Sequence, residues 1–388
     1  MELCKTNIVI ASAYSALYGG GYIQMVTALA SKLEKSYGCT VFFVFPEQTE
    51  KEWLTELKNK FHIFFTGKVY DKTTEEFTRL FTEENINLVY THFEAYDIPV
   101  AKAVKKSRRD IKMVWHLHDY QSLDKTGLSF KWLRKVGTNL RMWWQYGYYG
   151  GKAYFIGVSA EITNFVTHYR KHIFSFPRSL QNKELENMTF DRAAVIINGI
   201  SFERLKGQYA HPHNNCFLTF GGESYGKGIS TILDAAEILY KEGVEITIMM
   251  TKGYTTQDLL MHRYGDKIPK WLTVVEQRED ISALFDEAMC YISASLRETM
   301  SMAIAEASIY GLPVIQSDIP GTYWNSKAPS TLLFPVNDAH ALARRIKQII
   351  NADKEELRKK CEETSAYNKK MLSMDNWCNK VIRVFLDL

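Results

Sequence analysis

The feature that most restricts this chain is a repeated alternation of short apolar, β-rich runs with amphipathic stretches of helical period. Such alternation is the signature of parallel sheets covered by helices, an α/β architecture. Asn7 to Ala11 reads as a strand, and Ile23, Val26, Leu29, Ala30 and Leu33 then recur at helical spacing until Gly38 ends the run. Thr40 to Phe45 reads as the next strand, and His62 to Phe65, Leu88 to Thr91, Met113 to Leu117, Tyr154 to Val158 and Val195 to Ile197 continue the series. Residues 1–197 thus describe one Rossmann-like domain.

Residues 198–215 lack sustained periodicity and contain Gly199, Gly207 and Pro212, so they read as a linker. The pattern then restarts over 216–370. Strands are expected at Phe217 to Phe220, Glu245 to Met250, Val274 with Val275, Cys290 to Ser293 and Val314 to Gln316. Helices are expected at Ile229 to Tyr240, Ile281 to Asp286 and Ser301 to Tyr310. The length of 388 residues suits two such domains, each able to bury its own core.

Composition narrows the function. The balance of 48 basic against 44 acidic residues leaves a net charge of +4, too little for a protein devoted to a nucleic-acid backbone. The six cysteines form no C-x-x-C pair, which suits free thiols in a reducing compartment. No signal peptide and no apolar stretch of about 20 residues is visible, so a cytoplasmic protein is expected, or one peripheral to a membrane.

Three stretches carry chemistry. Gly19, Gly20 and Gly21 lie between the first strand and the first helix, where a tight turn aims N–H groups at a phosphate or simply supplies positive φ. Their spacing is not that of a dinucleotide-dehydrogenase fingerprint. Between a strand and a helix of the second half, Gly222 and Lys227 sit in another glycine-rich turn, and an ammonium beside helix N–H groups suits a diphosphate. The segment from Ser295 to Asp318 places Glu298 in a loop, Glu306 on the following helix, and Gly311-Leu312-Pro313 before another strand. This order brings both acids to the carboxyl edge of a parallel sheet.

His116 and His118 share one face of a strand and both reach its carboxyl end, whereas His92 reads as structural. A cationic and aromatic stretch, Lys131-Trp132-Leu133-Arg134-Lys135 followed by Arg141, Trp143, Trp144, Tyr146, Tyr148 and Tyr149, suits an anionic membrane surface or a packed core with solvated charges. Lys102, Lys105, Lys106, Arg108 and Arg109 form a second basic group. No Asp-x-Asp occurs, so no metal site is expected.

With Glu298, seven residues, Glu306, a small-residue helix and Gly311 to Val314, the chain resembles the retaining nucleotide-sugar glycosyltransferases of family 4, the group-1 type with the GT-B fold. Gly20 with Gly21, His118-Asp119, Val158-Ser159, Asn198-Gly199 and Lys227-Gly228 fit the resemblance in the same order. It implies two Rossmann-like domains facing a central cleft, acceptor binding by the first, nucleotide-sugar binding by the second, and a C-terminal helix at 371–388 packing back toward the first.

By the same resemblance the donor site comprises Gly20, Gly21, Gly222, Lys227, Glu298, Thr299, Met300, Ser301 and Glu306. Glu306 is expected on the ribose hydroxyls, Glu298 near the transferred sugar, and the N–H groups of Thr299 to Ser301 on the diphosphate or sugar. Lys227 neutralises the leaving diphosphate, and His118 faces the anomeric centre. His118, Lys227 and Glu298 are the expected catalytic residues, with no cofactor beyond the nucleotide-sugar co-substrate.

The implied activity is sugar transfer with retention to a glycan or lipid-linked acceptor, in bacterial surface polysaccharide synthesis. Two departures bear on it. Thr299-Met300-Ser301 stands where the family has Gly-Phe-Gly, and Gly222 where it has arginine, so an altered sugar pocket and one missing diphosphate contact are expected. The alternatives are a catalytically degenerate scaffold that binds a partner glycosyltransferase, and a nucleotide-sugar epimerase.

Overall fold

The computed structural model describes residues 2–388 apart from 17–18, 48–50, 68–72, 119–130, 174, 176–187, 203–204, 206–208, 210–213, 254 and 279; the side chains of 131–135 also lie outside the description. The chain forms two compact units, one of Met1–Gly199 with Met374–Leu388 and the other of Ile200–Ser373.

The first unit runs β1 (Asn7–Ser12), α1 (Gly20–Tyr37), β2 (Thr40–Pro46), α2 (Glu52–Lys58), β3 (His62–Thr66), α3 (Thr73–Glu83), β4 (Leu88–His92), α4 (Asp97–Ser107), β5 (Lys112–Leu117), α5 (Lys131–Met142), β6 (Tyr154–Gly157), α6 (Ala160–Lys171) and β7 (Ala193–Val195). Its strands are parallel, in the order β3-β2-β1-β4-β5-β6-β7. Helices on both faces explain why β1 and β2 are buried almost throughout and read as continuous apolar runs. Gly38 closes α1 in the left-handed conformation, its N–H donating to the Glu34 carbonyl.

The last strand differs from the expected Val195 to Ile197. It pairs with β6, whose ladder ends as the chain turns at Ser159 into α6, so partners exist only for Ala193 to Val195, with Ile196 N–H making the final bond to Gly157.

The second unit runs β8 (Cys216–Phe220), α7 (Ile229–Lys241), β9 (Thr247–Thr251), α8 (Thr256–Tyr264), β10 (Leu272–Val275), α9 (Ser282–Asp286), β11 (Cys290–Ser293), α10 (Met302–Tyr310), β12 (Val314–Ser317), β13 (Thr331–Phe334), α11 (Ala339–Ile350) and α12 (Lys354–Met371). Its six strands are parallel in the order β10-β9-β8-β11-β12-β13. β13 was not anticipated from the sequence. A final helix, α13 (Met374–Leu386), belongs to the first unit, where Trp377, Val381, Ile382 and Phe385 join Leu29 and Leu33 in one core.

In both sheets the strand order reverses direction beside the first strand, so a crevice opens at the carboxyl ends of β1 and β4 and of β8 and β11. All six cysteines are free thiols, five of them buried.

Candidate active site

In the second unit the crevice is built by two loops in backbone contact. β8 ends at Phe220, and the following turn reaches α7 through Gly222 (φ +48°) and Gly228 (φ +63°). A Cβ on Gly228 would lie 2.0 Å from the Ala294 carbonyl oxygen, so only glycine permits this approach to the loop after β11. Leu296 N–H donates to the Gly226 carbonyl at 2.9 Å and locks the loops together.

That contact aims Lys227 at Glu298. Their Nζ and Oε1 lie 2.5 Å apart, and Ser295 Oγ donates to the same carboxylate oxygen at 2.9 Å. The Glu298 side chain is 12% exposed and that of Lys227 40%, so the carboxylate is the fixed partner and the ammonium the accessible one. Behind the loop, a Cβ on Gly321 would fall 1.8 Å from the Glu298 carbonyl oxygen; this glycine lets the two backbones touch.

Ser301 caps α10 by accepting from Ile304 N–H at 3.4 Å, which leaves the first N–H groups of the helix at the crevice. One turn further on, Glu306 is buried on the same helix. Gly222, Lys227, Glu298, Met300, Ser301 and Glu306 line a single cavity of about 400 Å³, floored by Phe220, Tyr291 and Ser293. Burial, then the Glu298 and Glu306 carboxylates, push the Tyr291 phenol far up, so it stays neutral as part of the wall. Thr299 is buried in the same loop but is not among the residues lining this cavity.

Gly20, Gly21 and His118 belong to the first unit. Gly20 (φ +53°) begins α1, and Tyr14 Oη donates to the Gly19 carbonyl at 3.1 Å. Tyr22, two residues on, packs edge-on against His92 and His118 with ring centroids 5.2 and 6.2 Å away. His92 and His116 are paired across β4 and β5, and His118 follows two residues later. His92 Nδ1 and His118 Nε2 share a hydrogen bond of 2.8 Å, while His116 Nδ1 bonds the Tyr90 hydroxyl. Burial pushes the His118 imidazole down to about 3 and those of His92 and His116 well below the usual histidine range.

His92, read from the sequence as structural, is brought by the register against His116 and His118. Its signal was its place at the end of a strand next to that of His118, but the register that joins them is a tertiary fact. Asp119 lies outside the described residues.

Residues 215–352, which contain every residue of this cavity, match the family model described as glycosyl transferases group 1. The fold is GT-B. A glycosyltransferase from Rickettsia africae ESF-5 superposes with a TM-score of 0.71 at 15% identity, covering 99% of this chain and 98% of that one. Anabaena HepE, solved in complex with UDP, gives 0.71 at 16% identity over 99% and 100% of the two chains. Sucrose-phosphate synthase from Thermosynechococcus elongatus gives 0.68 at 15% identity over 98% of each. No curated protein sequence matches the chain.

Proposed function

We propose that the protein transfers a sugar from a nucleotide diphosphate donor to a glycan or lipid-linked acceptor, with retention and without a metal. The observation that carries this reading is the convergence on one cavity of an ammonium, a helix N-terminus and a buried carboxylate. Breaking a glycosyl phosphate bond demands stabilisation of the departing diphosphate more than a strong base. Lys227 and the N–H groups at the start of α10 supply it, and their charge makes a metal unnecessary. Glu306 accepts the ribose hydroxyls. Glu298 holds Lys227 in place before the donor arrives and borders the sugar afterwards.

His118, neutral because of its burial, serves the acceptor side as a hydrogen-bonding group near the anomeric carbon. The acceptor proton passes to the leaving phosphate oxygen on the same face. Uridine diphosphate is the first nucleotide to test, because the similar Anabaena HepE has been solved with UDP and with UDP-glucose. The pathway best suited is bacterial surface polysaccharide synthesis at the inner face of the plasma membrane. Supporting that location, Trp144 and Tyr148 are exposed, and Lys102 lies over the Trp144 and Tyr149 rings at 5.9 and 5.6 Å.

A thermal-shift series with UDP, GDP, dTDP and ADP tests the donor site, since a ligand bound only by the native state raises its stability. One nucleotide is expected to stand out. A flat response to all four favours the degenerate scaffold, for which the glycine at position 222 speaks.

A further inference from the structure

We propose that His92, His116 and His118, in the first unit, form a binding site for one divalent transition-metal ion of zinc's chemistry. The fold itself assembles the donor set. His92 and His116 are cross-strand neighbours at the ends of β4 and β5, and His118 is two residues further along the same chain. One nitrogen from each imidazole lies within 4.8 Å of the others.

A tetrahedral ion with metal–nitrogen bonds of about 2.0–2.1 Å needs its nitrogens roughly 3.3 Å apart, a change reached by modest rotation of the rings.

Two further observations point to a ligand. Nε2 of His92 and Nε2 of His116 are both buried and have no hydrogen-bond partner among the described residues, although buried polar atoms are almost always satisfied. His116 Nδ1 is held by the Tyr90 hydroxyl, the outer partner that orients a metal-bound imidazole and leaves its other nitrogen to the ion. Three imidazoles without thiolate or carboxylate select zinc, cobalt, nickel or copper over magnesium and calcium. His118 is the least buried of the three.

Zinc in this site occupies the nitrogen assigned above to the acceptor side. Loading therefore predicts inhibition of transfer, a consequence that rests on the proposed activity; the binding itself does not.

The test uses tag-free, full-length protein stripped with EDTA and titrated with Co²⁺ and then Zn²⁺. One Co²⁺ per chain is expected, with the intense visible absorption of four-coordinate cobalt, displaced by one Zn²⁺. His92→Gln and His116→Gln should each weaken Zn²⁺ binding by at least about tenfold. His168→Ala controls for the pair of His168 and His172 at the end of α6, whose rings lie 4.5 Å apart, and should leave binding unchanged. No stoichiometric Co²⁺ binding at micromolar ion, or the weak spectrum of six-coordinate cobalt, overturns the proposal even if the glutamine variants fail to fold. Undiminished Zn²⁺ affinity in both folded glutamine variants, or loss in His168→Ala, overturns it as well.

Discussion

Asp97 shows how strongly single buried groups are constrained here. It begins α4, where the helix dipole favours a carboxylate, yet it is almost fully buried with Glu94 nearby, and burial pushes its carboxyl well above the usual range. Thr91 Oγ1 donates to one oxygen, while Oδ2 has no partner among the described residues. The unfolded chain loses this proton as pH rises past about 4, and the native state keeps it, so Asp97 reduces stability increasingly toward neutral pH. Asp97→Asn is expected to raise stability by about 1 kcal/mol at pH 7, with the gain vanishing near pH 4, as denaturant titrations at the two pH values would read. That Lys227, Glu298 and Glu306 meet in one cavity was legible because they have charge, spacing and loop context. The histidine trio was only half legible, since His92 meets His118 through the pairing of two strands far apart in sequence.

The elements around the cavity act through backbone proximity. Gly321 sits where any side chain would enter the Glu298 backbone, with 1.8 Å from its ideal Cβ to the Glu298 oxygen and 3.0 Å to the Thr299 nitrogen. Gly321→Ala must displace the loop that presents Glu298 to Lys227. A loss of about 1–3 kcal/mol in stability and a weaker hold on the nucleotide are expected together. Lowered stability with unchanged nucleotide affinity would show that the loop's position is immaterial. At this scale the periodicities revealed most elements, because parallel strands buried on both faces read as apolar runs. They erred where pairing sets the ends: β7 stops where β6 runs out of partners, and β13 is a four-residue strand whose Thr331, Leu332 and Leu333 are only partly buried.

For the molecule as a whole, the chain completes its first unit only with α13, after building the second. The resemblance implied a C-terminal helix at 371–388 packing back toward the first domain, but its partners on α1 were not readable. Among the described residues no helix is long and apolar enough to cross a membrane. Attachment to an anionic surface through Trp144, Tyr148 and Lys102 is expected to appear as flotation with anionic but not neutral vesicles. Salt should weaken it, and so should Lys102→Glu, since each basic residue near such a surface contributes about 1 kcal/mol. Failure to float at low salt would favour a soluble acceptor. The central claim is that the second unit holds a nucleotide diphosphate with Glu306 on its ribose. It is tested most directly by calorimetric titration of wild type and Glu306→Ala with the nucleotide that stabilises the protein most. Wild type should bind at one site per chain, and the variant, folded as judged by circular dichroism, should bind more weakly by about 1.5–3 kcal/mol, the value of a hydrogen bond to a charged group. Equal affinity in the two proteins would contradict the account.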